Sequence, residues 1–234
     1  MRTTGKVILI PIMIAESGEG HLPTLFQTSI NSCSVFFAEN IKTARRAFRK
    51  VDRAFPIDEK EWIEIGKSED VAAFAFRKKL QEGATIGIVS ESGCPGIADP
   101  GQELVSIAQS LDAKIIPLAG PNSILLALMA SGLNGQQFSF HGYLPIDRLK
   151  RQHAIQALEK NSRSTGTSNM FIETPYRNGV LYEALLSCLH NETRLCIAVN
   201  ITAADEWIKT KTIGDWKKSS TDLPKSPALF IIGK

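Results

Sequence analysis

Cysteine is scarce in this chain. Only Cys33, Cys94, Cys188 and Cys196 occur among 234 residues, with no C-x-x-C pair and no histidine at zinc-like spacing. That scatter argues against a disulfide framework and against a structural metal, so no metal site is expected. Long hydrophobic runs are also missing: none reaches the roughly 18 apolar residues that a bilayer span requires. The opening stretch "MRTTGKVILIPIMIAESGEG" does not have the shape of a secretory leader; its short β-branched run is stopped by Pro11 and Gly18 and suits a buried first strand. A cytoplasmic location without membrane partners is the expectation. No single charge sign dominates, since the net charge is only +3 with 22% charged residues. A total that small does not identify a partner, and its distribution matters more.

What the chain has in abundance is alternation. Runs rich in Val, Ile and Phe predict strands over 7–14, 35–39, 62–65, 85–90, 114–118, 138–141, 169–173, 195–201, 206–212 and 228–232. Amphipathic spacing predicts helices over 23–31, 40–51, 69–82, 101–111, 122–131, 147–160, 178–189 and 213–218. Such an order implies an α/β fold with largely parallel sheets covered on both faces. The breakers in "PLAGPNS" place a domain boundary there, giving an N-terminal α/β domain over 1–120 and a C-terminal one over 121–234, with Asn122 or Ser123 free to cap the next helix. The polar stretch "EKNSRSTGTSN" (159–169) reads as a surface loop.

One segment stands out, "IVSESGCPGIADPGQELV", residues 88–105. It carries Ser90 to the carboxyl edge of a strand, where ligands bind in open α/β sheets. Gly93 and Gly96 permit close backbone approach or positive φ. Asp99, followed by Pro100 and with Gln102 three residues on, reads as a helix cap, whereas Glu91 has no such local role. The segment is not a Walker loop, a dinucleotide fingerprint or a nucleophile elbow. Taken alone, it is either a ligand-facing loop or a tight strand-to-helix connection.

A second pattern is a charge stripe. Lys42, Arg45, Arg46, Arg49 and Arg53 recur at helical spacing, opposite Ala44, Ala47, Phe48 and Val51, and no acid lies between Lys42 and Val51. This is either a phosphate-binding face for RNA or a solvated basic helix. Glu39, at the end of the second strand, is the acidic candidate for catalysis, and a helix-start carboxylate is its bland reading. Glu173 and Arg177 in "ETPYR" either position a substrate or tie a turn. Tyr143 either walls the site or is an aromatic packing residue, with packing the preferred reading, while His141 reads as a satisfied structural histidine and Cys94 as an inert thiol.

These stretches together resemble the tetrapyrrole methylase superfamily, and within it the branch of 16S rRNA cytidine 2′-O-ribose methyltransferases. "VSESGCPGIADPG" is similar to that family's S-D-A-G-T-P-x-I-x-D-P-G loop, "PLAGPNSILLALMASGL" to its P-L-P-G-P-x-A segment, "FSFHGYLP" to F-x-F-x-G-F-L-P, and "FIETPYR" to F-Y-E-S-P-H-R. "PALFIIGK" resembles its closing strand. Departures occur at "IPIMIA", which lacks a Gly-Asn, at Glu91 in place of Asp, at Asn40 and Lys42, and at Asn200-Ile201-Thr202-Ala203.

The resemblance implies two α/β domains of the tetrapyrrole methylase fold with a cofactor cleft between them, a homodimer, and S-adenosylmethionine as cofactor. It assigns cofactor contacts to Pro11, Ser90, Glu91, Ser92, Gly93, Asn122, Ser123, Ile124, Ile172, Asn200 and Ala228. Lys42, Arg45, Arg46, Arg49, Arg53, Glu173 and Arg177 fall to an RNA substrate. The implied activity is methyl transfer to RNA, to the ribose 2′-oxygen of rRNA by resemblance. Methylation of a small molecule such as a tetrapyrrole, methylation of a protein, and a cofactor-binding homologue without turnover stay open.

Overall fold

The computed structural model describes residues 4–66, 69–219 and 221–234. The first three residues of the stretch read as lacking a leader's shape lie outside them. The chain divides into two compact units, Met1–Asn122 and Ser123–Lys234.

The first unit is built on β1 (Lys6–Ile10), β2 (Val35–Ala38), β3 (Glu61–Glu64), β4 (Thr85–Val89) and β5 (Lys114–Pro117), in the spatial order β3-β2-β4-β1-β5. Every pairing is parallel. The strands are apolar on both faces because both are covered. Along β2, Phe36 and Ala38 enter a cluster with Phe26, Ile30, Ala44 and Phe48, contributed by α1 (Phe26–Ser32) and α2 (Ile41–Val51). Val35 and Phe37 face the other way, onto Phe76, Leu80, Leu104 and Ala108 of α3 (Glu69–Gln81) and α4 (Gln102–Ser110). Phe36 stacks on Trp62 with centroids 4.7 Å apart, and Phe48 meets it edge-on.

β1 stops at Ile10, earlier than the predicted 7–14, because Pro11 has no N–H to continue the ladder. Register then decides which residues leave the sheet together. Val89 lies opposite both Ile10 and Ala38. The next residue of each strand is therefore Ser90, Pro11 or Glu39, three neighbours on one carboxyl edge.

The second unit is a sheet of β6 (Phe138–Tyr143), β7 (Ser168–Glu173), β8 (Arg194–Val199), β9 (Trp207–Thr212) and β10 (Ala228–Gly233), ordered β6-β7-β10-β8-β9. Here the expectation of a largely parallel sheet fails. Only β6 and β7 are parallel, and the β7–β10, β10–β8 and β8–β9 pairings are antiparallel. The chain between Val199 and Trp207 is too short for a crossover helix, so it can only join antiparallel neighbours. α5 (Ser123–Ser131) covers one face through Ile124, Ala127 and Leu128. α6 (Arg148–Thr165), α7 (Asn178–Cys188) and α8 (Ile213–Lys218) cover the other, around Ile155, Leu181, Leu185 and Trp216.

The loop expected over 159–169 is also corrected, since α6 runs on to Thr165 and ends at a left-handed Gly166. Tertiary contacts hold its last turns. Glu159 is buried and accepts the His190 amide at 2.9 Å and the Thr193 hydroxyl, and Ser162 is buried beside it. All four cysteines are free thiols, Cys33 and Cys196 fully buried. Among the described residues no helix is long and apolar enough to cross a membrane.

Candidate functional site

The loop that leaves β4 is held on two sides. Ile12 and Gly93 form an antiparallel bridge, the Ile12 amide donating to the Gly93 carbonyl at 2.9 Å. From the other side, the Glu39 carboxylate accepts the Glu91 amide at 2.9 Å. Gly93 has φ of +70°, and a Cβ there would lie 3.1 Å from the Pro121 carbonyl, so conformation and space both require glycine. Ser90 is buried, and its hydroxyl donates within the loop to the Ser92 and Gly93 carbonyls at 3.3 Å. Its hydroxyl shapes the loop, while Glu91 and Ser92 are exposed. Cys94 donates its thiol to the Pro121 carbonyl at 3.3 Å, and burial followed by the charge of Asp99 raises its pKa. Such a thiol is a poor nucleophile.

Asp99 is not the helix cap that its position predicts. α4 begins at Gln102 after Gly101, which takes a left-handed φ of 114° and offers no side-chain cap. The turn carries the chain past Asp99 before the helix starts. Burial, then the charges of Glu39 and Glu91, push the Asp99 carboxyl up to about 6. Among the described residues none of these three acids has an ion pair, so three carboxylates gather at the loop without a directly paired cation.

Glu39 therefore does something its bland reading did not foresee. The cap of α2 is Asn40, whose side chain accepts the Thr43 amide at 3.1 Å. Glu39, one residue earlier and half-buried, reaches across to the β4 loop instead.

The basic stripe does lie on one face of α2, with Ala44, Ala47 and Phe48 buried opposite. No acid lies within the stripe, as its sequence reads, but carboxylates reach it from outside the helix. Arg45 pairs with Asp58, Arg46 with Glu16, and Lys50 with Glu19 at 3.0 Å. Glu19 is held below its usual range by its backbone hydrogen bond and then by Lys50. Arg49 donates to the Arg53 carbonyl at 3.1 Å. Among the described residues, Lys42 and the Arg53 side chain have no ion pair. An open cleft of about 630 Å³ lies beside this face, lined by Ile12 to Glu16, by Lys42, Thr43, Arg46, Ala47 and Lys50, and by Glu91. It brings together Glu91, Lys42 and Arg46, and adds Met13, Ile14 and Lys50. The spacing already contained Lys50, which lies four residues beyond Arg46, whereas nothing in the sequence points to Met13 or Ile14.

Gly120 carries a further constraint. A Cβ there would sit 2.3 Å from Cγ of Pro11, so the "AGP" turn packs directly on that ring. Asn122 is buried at the end of this unit.

In the second unit, one row of the sheet gathers the remaining candidates. Ala228 lies opposite Glu173 on β7 and opposite Val199 on β8, with Ile172 one step behind and Asn200 one step ahead. Asn200 takes φ of 51° and donates its side-chain amide to Asp205 at 2.7 Å. Ser123 opens α5, and Ile124 shares a cluster with Ile172, Ile201 and Leu229. Glu173 is buried and accepts the Thr174 amide at 2.7 Å and Arg177 at 2.5 Å. That pair ties the turn entering α7. His141 shares a 2.9 Å hydrogen bond with Asn169, in keeping with a structural role, whereas Tyr143 is exposed, which corrects its reading as a packing residue.

Comparison with known proteins gives this geometry a family. The Ribosomal RNA small subunit methyltransferase I of Vibrio cholerae is 33% identical over 181 residues, covering 76% of this chain and 62% of that protein. The protein of the same name from Escherichia coli O157:H7 is 30% identical over 168 residues, 70% of this chain and 57% of that one. This chain thus spans about three fifths of the length of these relatives. In fold it is similar to uroporphyrin-III-C-methyltransferase from Thermus thermophilus (TM-score 0.57, 19% identity, 100% and 93% of the two chains). It is also similar to a diphthine synthase (TM-score 0.65, 12% identity, 97% and 89%). The family model of Tetrapyrrole (Corrin/Porphyrin) Methylases matches residues 23–216, and the chain belongs to that family.

Proposed function

We propose that this chain is an S-adenosylmethionine-dependent methyltransferase acting on RNA, with the ribose 2′-oxygen of ribosomal RNA as acceptor. One observation carries the reading. The register of β1, β2 and β4 delivers Pro11, Glu39 and Ser90 to one carboxyl edge, and the Glu39–Glu91 bond fixes the loop there. The names of the curated relatives supply the RNA substrate.

The residues present fit the cofactor. Burial and then the charges of Glu39 and Glu91 push Asp99 up to about 6, and a cationic group nearby would relieve that crowding. When bound, S-adenosylmethionine supplies a methyl group on a positively charged sulfur. Ser90 and Gly93 hold the loop backbone in shape, and Pro11 leads into Ile12, which bridges Gly93. In this reading Ile172, Asn200 and Ala228 are the second unit's cofactor contacts, with Ser123 and Ile124 at the start of α5. Glu39 keeps one oxygen on the Glu91 amide and has the other available to accept the hydroxyl proton of the acceptor. Lys42, Arg49 and Arg53 attract phosphates toward the cleft, and Arg46 adds to them to the extent that Glu16 releases it. The reading carries with it a cytoplasmic homodimer, checked by sedimentation of the purified chain.

A second reading, methyl transfer to a small molecule, is favoured by the ion pairs that Glu16, Glu19 and Asp58 make with the stripe. The deciding experiment incubates purified protein and radioactive methyl donor with total RNA, protein and small-molecule extracts from a deletion strain. Label in RNA, mapped to ribose, is the expected result. Label only in another fraction overturns the RNA assignment, and absence of cofactor binding at millimolar concentration by calorimetry overturns the enzyme reading.

A further inference from the structure

Glu159, on α6, is a buried carboxylate that uses only one of its oxygens to hold the fold. Oε1 accepts the His190 amide at 2.9 Å and the Thr193 hydroxyl, which fixes the turn leading into β8. Among the described residues Oε2 makes no hydrogen bond. Its partner is the His190 ring, whose Nε2 lies 4.0 Å away, beyond hydrogen-bond reach. The side chain is only 6% exposed, yet Oε2 is not sealed in. Among the described residues the buried side-chain atoms without a partner are Arg151 Nε, Ser162 Oγ, Asn178 Oδ1 and the Tyr182 hydroxyl, and Oε2 is not one of them. An unbonded carboxylate oxygen therefore stays open to the outside.

Glu159 lines a cavity of about 550 Å³ between the second half of α6 and the end of α7, together with Lys160, Arg163 and His190. Lys160 and Arg163 are exposed, and neither has an ion pair among the described residues. This cavity is not part of the row that holds Ala228. Glu173 and Val199, which flank Ala228, are the last residues of β7 and β8. The cavity lies where those two strands begin, since α6 hands over to β7 at Ser168 and His190 leads to Arg194. The two places are separated by the length of a six-residue strand, about 17 Å.

Two free cations beside one open carboxylate oxygen select a ligand that is anionic at one end and an N–H donor at the other. A nucleotide has this make-up. Its phosphate suits Arg163, a planar fork, and Lys160, a flexible point charge. The exocyclic amine of cytosine, adenine or guanine suits the Glu159 oxygen. Uracil does not, because its N–H lies between two carbonyl oxygens that a carboxylate repels. We propose that this cavity binds a nucleotide of single-stranded RNA whose base carries an exocyclic amine. The inference rests on the RNA reading above and deepens it, giving the second unit a base-selective hold on the strand away from the cofactor row.

The test compares labelled oligocytidylate and oligouridylate of equal length by fluorescence anisotropy over a salt series. These strands differ at the base edge, an amine in one and a carbonyl in the other. The parent protein is expected to prefer oligocytidylate about tenfold, the scale of one hydrogen bond to a charged group. Glu159→Gln keeps an oxygen for the His190 amide and Thr193 but turns an NH₂ toward the ligand, so the preference is expected to vanish or reverse. Lys160→Gln/Arg163→Gln changes only exposed side chains and keeps the test decisive if Glu159→Gln does not fold. It is expected to reduce the salt slope by up to about 1.4, twice the value for one phosphate contact on a single strand. Arg148→Gln/Lys150→Gln, at the other end of α6, removes the same charge and is expected to change the slope less.

A merely structural Glu159 gives a lower Tm in Glu159→Gln with the cytidine preference retained, and that overturns the proposal. Equal slope changes from the two double variants do so as well, since they mark general attraction to a basic helix. Cytidine monophosphate that binds the parent protein as tightly as the oligonucleotide marks a free-nucleotide site and overturns the assignment to RNA. Binding of both strands with no preference between them sinks this inference alone, whereas no RNA binding by the parent protein sinks both it and the RNA substrate.

Discussion

The carboxylate of Glu39 accepts the backbone N–H of Glu91 at 2.9 Å, joining the end of β2 to the loop after β4. Two variants separate its possible roles. Glu39→Ala leaves the Glu91 amide without its acceptor, with an expected loss of about 1 kcal/mol in stability and about tenfold in S-adenosylmethionine affinity by calorimetry. Glu39→Gln keeps an acceptor oxygen but removes the basic carboxylate. It is expected to bind cofactor nearly as well as the parent protein and to lose about a hundredfold in methyl transfer. Full transfer by Glu39→Gln would restrict Glu39 to holding the loop.

Asp99 gives the loop a pH signature. Its folded pKa, about 6, lies above the ordinary 3.8, so its ionised form is penalised in the folded state. The penalty is present above pH 6 and disappears as pH falls through 6 toward 4. Asp99→Asn is therefore expected to be more stable than the parent protein at pH 8, with the difference vanishing near pH 4. The group is half-buried and partly screened by water, so the gain is on the order of 1 kcal/mol. Urea unfolding at the two pH values checks this. A cofactor bringing positive charge to the loop also lowers the Asp99 pKa and releases a proton near pH 6, which calorimetry in buffers of different ionisation heat detects. Binding without proton release would place the positive charge elsewhere.

Much of this was legible in the sequence. The first unit's strands are apolar on consecutive positions and separated by amphipathic helices, and they form the parallel sheet that pattern implies. The family resemblance identified the β4 loop, and the structure places Ser90 to Gly93 at the expected sheet edge. What the sequence does not show is long-range pairing. The acids that meet the α2 stripe lie at positions 16, 19 and 58, and no helical spacing reveals them. The antiparallel second sheet was hidden because a buried strand looks alike in either direction. Asp99 looked like a cap because caps are local, while its environment is set by burial and then by Glu39 from another strand and Glu91 from its own loop.

The stripe itself is testable residue by residue. Lys42→Gln and Arg53→Gln remove cations with no carboxylate partner among the described residues, and each is expected to lower the salt slope of RNA binding by about 0.7. Arg46→Gln also removes a cation, but one already neutralised by Glu16, so its effect is expected to be smaller. Glu16→Gln frees Arg46 and is expected to raise RNA affinity severalfold at low salt. Anisotropy titrations at several ionic strengths measure all four. Equal slopes throughout would leave α2 a solvated basic helix and favour the small-molecule reading.

Gly120 tests whether Pro11 must stay where it is. A Cβ at that position would lie 2.3 Å from Cγ and 2.4 Å from Cβ of the Pro11 ring. Neither partner has a flexible end to move aside, so the overlap forces the 120–121 turn away from the β1 exit. Gly120→Ala is expected to cost about 1–3 kcal/mol, the usual scale for overpacking, seen as a Tm lower by roughly 2–4 °C for each kcal/mol. Cofactor affinity is expected to fall with it, because Pro11 directly precedes Ile12, whose bridge to Gly93 holds the loop. Gly20→Ala is the control: its Cβ would meet nothing within 4 Å, and it is expected to be neutral within about 0.5 kcal/mol. If Gly120→Ala loses stability yet binds cofactor like the parent protein, Pro11 supports the fold and has no part in the site.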